Sequence, residues 1–358
     1  MGAAGGSQVK VLVVDDSALV REVMQRVLRG SFSVVTAADP LIATRKMAVD
    51  RPDVILLDLA MPRMDGLSFL RQLMTTDPIP VVVCSVLTLG AADVAMRALD
   101  EGAVDVVTKP RLGLHGGADD AIGPLMDALR AASQASVKRR PASAPIAARI
   151  PDAQVRPTPQ VAASSTLVAV GASTGGTEAL GVLLGAMPEN SPGLVVVQHM
   201  PEGFTAAFAR RLDGVCRIRV KEAADGDRVE PGLALIAPGN RHVVVRIEGS
   251  RWRVRVVDGP PVSRHRPSVD VLFGSVAEAA GPSAVGVLLT GMGRDGADGL
   301  RAMKQRGART IAQDAATCVV FGMPKEAIAL GAVDEVLGLP RIAAAILERT
   351  SVNKRLDG

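Results

Sequence analysis

Residues Thr166–Leu184 read TLVAVGASTGGTEALGVLL. A short apolar run, Leu167 to Val170, enters a Gly-rich turn, and a helical pattern follows with Glu178 in its first turn. Ser173 stands in that turn, ahead of Thr174, Gly175 and Gly176. A serine at the corner between a buried strand and a helix exposes its hydroxyl beside backbone N–H groups that have no partner within the helix. Such a corner can mount a nucleophile, and it can equally cradle a phosphate. The loop alone leaves both readings open.

Downstream strands narrow the choice. Leu194 to Val197 is an apolar run ending in Gln198-His199-Met200, and Ala284 to Leu289 ends in Thr290-Gly291-Met292-Gly293-Arg294-Asp295-Gly296. Helical patterns cover Phe204–Leu212, Ser268–Ala279, Ala297–Arg306 and Ile342–Arg349, and further strands are expected at Leu233–Ala237 and Thr310–Gln313. His242–Ile247 and Trp252–Val257 alternate about Glu248-Gly249-Ser250, which predicts an antiparallel hairpin. In a parallel sheet the carboxyl ends of the strands share one edge, so Ser173, His199 and Asp295 can meet there. Serine, histidine and aspartate are the parts of an acyl-transfer triad. Backbone N–H groups at the Gly-rich corners would serve as an oxyanion hole. Taken singly, His199 reads as a structural histidine and Asp295 as an N-cap for the helix from Ala297. The three strand ends together favour the triad. A dinucleotide site is disfavoured, because GASTGG lacks the G-x-G-x-x-G spacing and the next strand ends in His199 rather than an acid. The order Ser…His…Asp, without G-x-S-x-G, argues against an α/β-hydrolase. Arg294 receives no role.

The first 132 residues repeat a strand–helix unit with different chemistry. Val9–Val14 is a strand ending in Asp15-Asp16-Ser17, and Val54–Leu57 one ending in Asp58. Val34-Val35 is a short strand between them, Val81–Ser85 is the fourth and Val104–Thr108, followed by Lys109-Pro110, the fifth. Helical patterns intervene at Ala18–Leu28, Leu41–Val49, from Leu67 onward and Asp93–Glu101, the last stopped by Gly102. Five such repeats predict a doubly wound parallel sheet with ligands at its carboxyl edge. Asp15, Asp16 and Asp58 converge on that edge, where a hard cation such as Mg²⁺ would relieve their repulsion. Lys109 arrives beside them and suits an incoming phosphoryl group. Met61–Gly66 is read as a loop.

Between the halves, residues 133–165 are rich in Ala, Pro, Ser and Arg. Pro141, Pro145, Pro151, Pro157 and Pro159 rule out a continuous helix, so the stretch reads as a semi-extended tether. The expected organisation is a domain over 8–132, a linker over 133–165 and a second domain over 166–350. The fold class is α/β throughout: two doubly wound parallel-sheet domains, the first flavodoxin-like, the second Rossmann-like with an antiparallel hairpin.

Composition bounds the function. Of 358 residues, 41 are Lys or Arg and 37 are Asp or Glu, a net charge of +4. Residues 133–166 hold five basic residues and one acid, so this short stretch accounts for much of the excess, and neither flanking half is strongly basic. A DNA-binding domain would show its phosphate-neutralising charge. With no Tyr, six Phe and one Trp, the stacking platforms of single-strand binders are missing too. Cys84, Cys216 and Cys318 are scattered without metal spacing and read as reduced thiols of a cytosolic protein. No apolar run is long enough to span a membrane, and the first residues lack a signal-peptide core. A cytoplasmic monomer with no nucleic-acid partner and no membrane insertion is expected.

The first half resembles the receiver domain of response regulators, on the acidic pair Asp15-Asp16, LLDLAMPRMDG around Asp58, Ser85 and the ending Thr108-Lys109-Pro110. That resemblance implies phosphorylation of Asp58 by a histidine kinase, with Mg²⁺ held by Asp16, Asp58 and a backbone carbonyl and supported by Asp15. It further implies that Ser85 and Lys109 bind the phosphoryl group. Where many receivers have an aromatic residue this chain has Val106, which puts a ring-rotation switch in question. The second half resembles the CheB family of chemotaxis protein-glutamate methylesterases, on GASTGG, QHM, HRPSVDVLF (His265 to Phe273) and LTGMGRDGADGL (Leu289 to Leu300). This implies Ser173 as nucleophile, His199 as general base and acid, Asp295 as the orienting carboxylate, and Thr174 and Met292 at the oxyanion side. The implied reaction is hydrolysis of glutamate methyl esters on methyl-accepting chemotaxis receptors, releasing methanol, with deamidation of receptor glutamines by the same triad. No cofactor is implied for the ester chemistry. The kinase would be of the chemotaxis type, and phosphorylation would relieve hindrance of the Ser173 edge by the receiver. The alternative is a receiver-controlled receptor-binding scaffold without catalysis.

Overall fold

The computed structural model describes residues 8–61, 65–86, 88–110, 118–139 and 166–352. Most of the expected tether, from residue 140, lies outside them, as do residues 62–64 of the loop after Asp58. The chain divides into two compact units, Met1–Ser143 and Ala144–Gly358.

The first unit runs β1 (Lys10–Val14), α1 (Ala18–Leu28), β2 (Ser33–Ala37), α2 (Pro40–Val49), β3 (Val54–Leu57), α3 (Gly66–Thr76), β4 (Val81–Ser85), α4 (Leu89–Glu101), β5 (Asp105–Thr108) and α5 (Ala118–Ser133). The strands pair in parallel in the order β2-β1-β3-β4-β5. β3 and β4 are buried along their whole length, as strands covered by helices on both faces must be. Helix starts follow local chemistry. Ser17, Asp39 and Thr88 cap α1, α2 and α4 by accepting from the backbone N–H of Val20, Ile42 and Ala91. Gly102 ends α4 in the left-handed conformation. Because the chain winds outward from β1 and β3 in opposite senses, those two strands flank the switch point. Ligand-binding residues gather at the carboxyl ends of strands around such a point.

The second unit runs β6 (Leu167–Ala172), α6 (Gly176–Gly185), β7 (Gly193–Gln198), α7 (Phe204–Asp213), β8 (Arg219–Glu222), β9 (Leu233–Ile236), β10 (His242–Glu248), β11 (Arg251–Val257), α8 (Val269–Ala279), β12 (Ala284–Leu288), α9 (Ala297–Gln305), β13 (Arg309–Gln313), α10 (Met323–Ala329), β14 (Glu335–Leu337) and α11 (Leu339–Val352). Seven strands form a parallel sheet in the order β14-β13-β12-β6-β7-β9-β8, and β10 and β11 form the antiparallel hairpin apart from it. Thus β6 sits between β12 and β7, with Gly171 paired to Leu288 on one side and Val197 on the other. The strand ends carrying Ser173, His199 and Asp295 are therefore immediate neighbours.

Three elements of this unit go beyond the sequence expectation. β8 (RVKE) and β14 (EVL) are edge strands with only partial burial, so they lack the apolar run that marks the interior strands. α10 has seven residues and opens with Pro324 in its first turn, too short for helical periodicity to register. α8 packs closely on α9: a side chain at Gly299 would meet the Cβ of Phe273 at 2.7 Å and the Cα of Asp270 at 3.0 Å. That approach brings the start of α8 against the loop that leads into α9.

Candidate active site

Asp295 is the best-connected side chain at the carboxyl edge of the second sheet. It does not cap its own helix. Gly296 occupies the N-cap position of α9, with no side-chain cap. The Asp295 carboxylate instead lies at the start of α8. Oδ1 accepts from the hydroxyl of Ser268 at 2.8 Å and from the backbone N–H of Asp270 at 3.0 Å, and Oδ2 accepts from the N–H of Val269 at 2.8 Å. These are unpaired donors of a helix N-terminus, where the helix dipole also favours a negative charge. Oδ2 further receives Nε2–H of His199 at 2.8 Å. Side-chain exposure is 1 % for Asp295 and 7 % for His199. Burial works against the Asp295 charge, but His199 and the α8 N–H groups outweigh it and hold this carboxyl well below the ordinary range.

An ionised carboxylate only accepts, so Nε2 is the donor to Asp295; in the neutral imidazole this leaves the lone pair on Nδ1. Nδ1 is buried and, among the described residues, has no hydrogen-bond partner.

Ser173 is buried at the end of β6, with its backbone N–H donated to Thr290 O at 3.0 Å. Among the described residues its hydroxyl makes no hydrogen bond, so the structure joins His199 to Asp295 and brings Ser173 beside them without a bond to the imidazole. Gly291 makes this closeness possible: a Cβ there would lie 2.7 Å from Ser173 Cβ. Met292 follows it, and among the described residues its N–H donates to no acceptor. Thr174 is fixed through its carbonyl, which accepts the Thr290 hydroxyl at 3.0 Å.

Sequence reasoning missed several residues that hold this constellation. Gln198 Nε2 donates to both Ser173 O (2.9 Å) and His199 O (3.1 Å), tying two strand ends together. Gln313 Oε1 accepts from Thr290 N–H at 2.8 Å. Ser268 and His265 lie in the HRPSVDVLF stretch, whose serine ahead of an apolar helical run is an N-cap signal. Nothing in a sequence shows that the same helix start would also receive Asp295.

In the first unit, Lys109 Nζ donates to Asp15 Oδ2 and Asp58 Oδ2, each at 2.7 Å. Burial raises the Asp15 pKa, and Lys109 only partly offsets this. Burial also disfavours the Lys109 charge, but its two carboxylate partners more than compensate and lift its pKa above the ordinary value. Asp15, Asp16 and Asp58 each place a carboxylate oxygen within 4.8 Å of the others. Three hard oxygen donors so close, two of them buried, fit Mg²⁺. Ser85 ends β4, and among the described residues its hydroxyl makes one long contact, to Val86 O at 3.5 Å. Val106 is buried within β5.

Residues 168–346 match the CheB methylesterase family, and residues 11–112 the response regulator receiver domain. A protein-glutamate methylesterase/protein-glutamine glutaminase of Anaeromyxobacter dehalogenans is 57 % identical over 343 residues, covering 94 % of this chain and 98 % of its own. The chain belongs to the CheB methylesterase family. A second relative with that description, from Geobacter metallireducens, is 52 % identical over 349 residues, with 95 % and 98 % covered. The solved CheB methylesterase catalytic domain of Thermotoga maritima is 40 % identical and covers 51 % of this chain and 97 % of its own, with a TM-score of 0.50. As a member of the family the chain is an ester hydrolase carrying a receiver ahead of its methylesterase region. Among the described residues no helix is long and apolar enough to cross a membrane.

Asp270 provides a test of the α8 geometry. Its Oδ1 accepts Gly299 N–H at 2.8 Å. Burial first, and then the neighbouring Asp295 charge, push its pKa up to about 6, against a backbone N–H that favours its ionised form. A carboxyl whose folded pKa is raised adds stability below its unfolded value and loses it as pH rises through the folded one. Asp270→Asn keeps the acceptor and removes the titration. The urea midpoint of this unit, read by the single Trp, Trp252, should therefore improve relative to the parent chain between pH 4 and pH 7. An unchanged difference across that range would contradict this reading.

Proposed function

We propose that this chain hydrolyses glutamate methyl esters on methyl-accepting chemotaxis receptors, and deamidates receptor glutamines, under control of phosphorylation at Asp58. The observation that carries the chemistry is the buried Asp295–His199 pair, which leaves a partner-free Nδ1 beside the Ser173 corner. In this reading the Ser173 hydroxyl attacks the ester carbonyl and its proton passes to His199 Nδ1. The Asp295 carboxylate stabilises the imidazolium that forms. The backbone N–H groups of Met292 and Thr174 are assigned to the oxyanion, the first supported by its unused hydrogen. Collapse of the tetrahedral intermediate expels methoxide, which takes the proton from Nδ1 and leaves as methanol. Water then attacks the Ser173 ester, His199 accepts its proton and returns it to Ser173 Oγ, and the glutamate carboxylate is released. With a glutamine substrate ammonia leaves in place of methanol. Apart from the water that hydrolyses the Ser173 ester, each step uses side chains and backbone only.

In the receiver, Asp16 and Asp58 are assigned to Mg²⁺ with Asp15 in support. Bound there, the cation would neutralise charge on the transferring phosphoryl group. Asp58 would accept the phosphoryl group from a histidine kinase of the chemotaxis type. Ser85 and Lys109 are assigned to bind it, and Lys109 would have to loosen its present grip on two carboxylates. The domains are taken as 8–132 and 166–350, joined by the 133–165 tether. The free thiols of Cys84, Cys216 and Cys318 support a cytoplasmic location. The chain is taken to act as a monomer. A scaffold without catalysis is not favoured, since it would have no use for a buried and fully oriented histidine.

Methanol release from methylated receptors tests both parts. Ser173→Ala should reduce it by roughly 10⁴-fold or more with the fold retained, and a small-molecule phosphodonor with Mg²⁺ should accelerate the parent chain but not Asp58→Ala. Release that survives in Ser173→Ala would remove the triad. Equal rates with and without phosphodonor in the parent chain would remove the gating.

A further inference from the structure

His265 takes no part in the proton path above, yet it lies against the ring at its centre. Its imidazole is stacked on that of His199, with centroids 3.7 Å apart and planes 9° from parallel. It is presented by a tight turn, Val262 to His265, closed by Val262 N–H to His265 O at 3.0 Å and His265 N–H to Val262 O at 2.9 Å. The two central residues, Ser263 and Arg264, have φ of 51° and 67°. Two ordinary side chains in the left-handed region form a type I′ turn without its favoured glycine or asparagine. Such a backbone persists where its surroundings over-determine it. Here the next residue, Arg266, is anchored by its guanidinium to Asn240 Oδ1 (2.6 Å) and Gly259 O (2.6 Å).

We propose that His265 is a positioning residue for this hydrolysis, a flat uncharged plate that fixes the ring plane of His199. The inference rests on the assignment of Ser173, His199 and Asp295 made above. Among the described residues the His199 ring makes one hydrogen bond, from Nε2, and Nδ1 makes none. A single bond leaves the ring free to swing about the Nε2–Asp295 direction, carrying Nδ1 away from the nucleophile. A parallel face at van der Waals distance removes that freedom. The plate must also stay neutral, because His199 becomes a cation in mid-reaction and a second imidazolium would repel it. Burial first, then His199, push the His265 pKa down to about 3; Arg264 adds to this and Asp295 opposes it. Asp270, which accepts weakly from Ser263 Oγ at 3.4 Å, is the other ionisable group at the turn. The neutral π-face then meets the imidazolium favourably.

The test uses the full-length chain, phosphodonor and Mg²⁺, with methylated receptors as substrate and methanol as the readout. His265→Ala should lower kcat by about 10- to 100-fold, the usual scale for a misplaced catalytic group, and leave KM within about twofold. His265→Phe keeps a flat face and should restore kcat to within about threefold of the parent chain. Imidazole ¹⁵N spectra should show the Nε2-protonated His199 tautomer in all three chains, because Asp295 sets it, with exchange-broadened His199 signals in the Ala chain alone, where the ring plane is no longer fixed. Parent-like kcat in His265→Ala would overturn the proposal. So would a Phe chain as impaired as the Ala chain while still folded by circular dichroism, since the imidazole would then act by its own chemistry. Ser173→Ala is run alongside: methanol release that persisted there would remove the underlying triad, an outcome distinct from either of these.

Discussion

The second unit depends on one electrostatic arrangement: a carboxylate from the loop after β12 received by the N-terminus of α8. Asp295 is almost wholly buried, and a buried charge is costly unless it is paired and hydrogen-bonded. The Ser268 hydroxyl and two backbone N–H groups supply three donors from one helix start, and His199 supplies the fourth. The same contacts that make the charge tolerable also place it. Because α8 and α9 approach closely at Gly299, the donor set and the acceptor are held by packed helices. His199 then has its tautomer imposed by a neighbour that can only accept.

The first unit meets a like problem differently. Asp15 and Asp58 are both buried at a strand edge, and Lys109 bridges them from the end of β5. A lysine is a mobile point charge, whereas a helix N-terminus is fixed. The receiver's charges can therefore exchange partners when a cation or phosphoryl group arrives, while the Asp295 cradle stays in place. In both units a parallel sheet gathers the charged groups at its carboxyl edge, one set bridged by a movable lysine and the other held by a fixed helix start.

Much of this could be read from the chain alone, and the reason is physical. Interior strands such as Val54–Leu57 and Leu167–Ala172 are buried on both faces, so they stand out as unbroken apolar runs whose ends locate Asp58 and Ser173. Edge strands β8 and β14 share their faces with solvent and carry no such mark. α5 carries no clear helical mark in the sequence because Gly123 and Pro124 interrupt it. Asp295 follows β12 in the chain, but the reading of it as a cap for the helix after it gives way to contacts with the start of a helix that precedes it by some 25 residues. Local sequence patterns report on local partners, and this one is tertiary. The same holds for Gln198, His265 and Ser268, whose roles arise only when distant segments meet.

The most direct test of the Asp295 arrangement is methanol release by Asp295→Asn. The amide keeps the size of the carboxylate but carries no charge and offers N–H groups where acceptors are needed, so the favoured His199 tautomer is lost. A fall of about 10³- to 10⁴-fold in kcat with native circular dichroism is the expected result. Activity within tenfold of the parent chain would contradict the central claim that this carboxylate sets the state of His199.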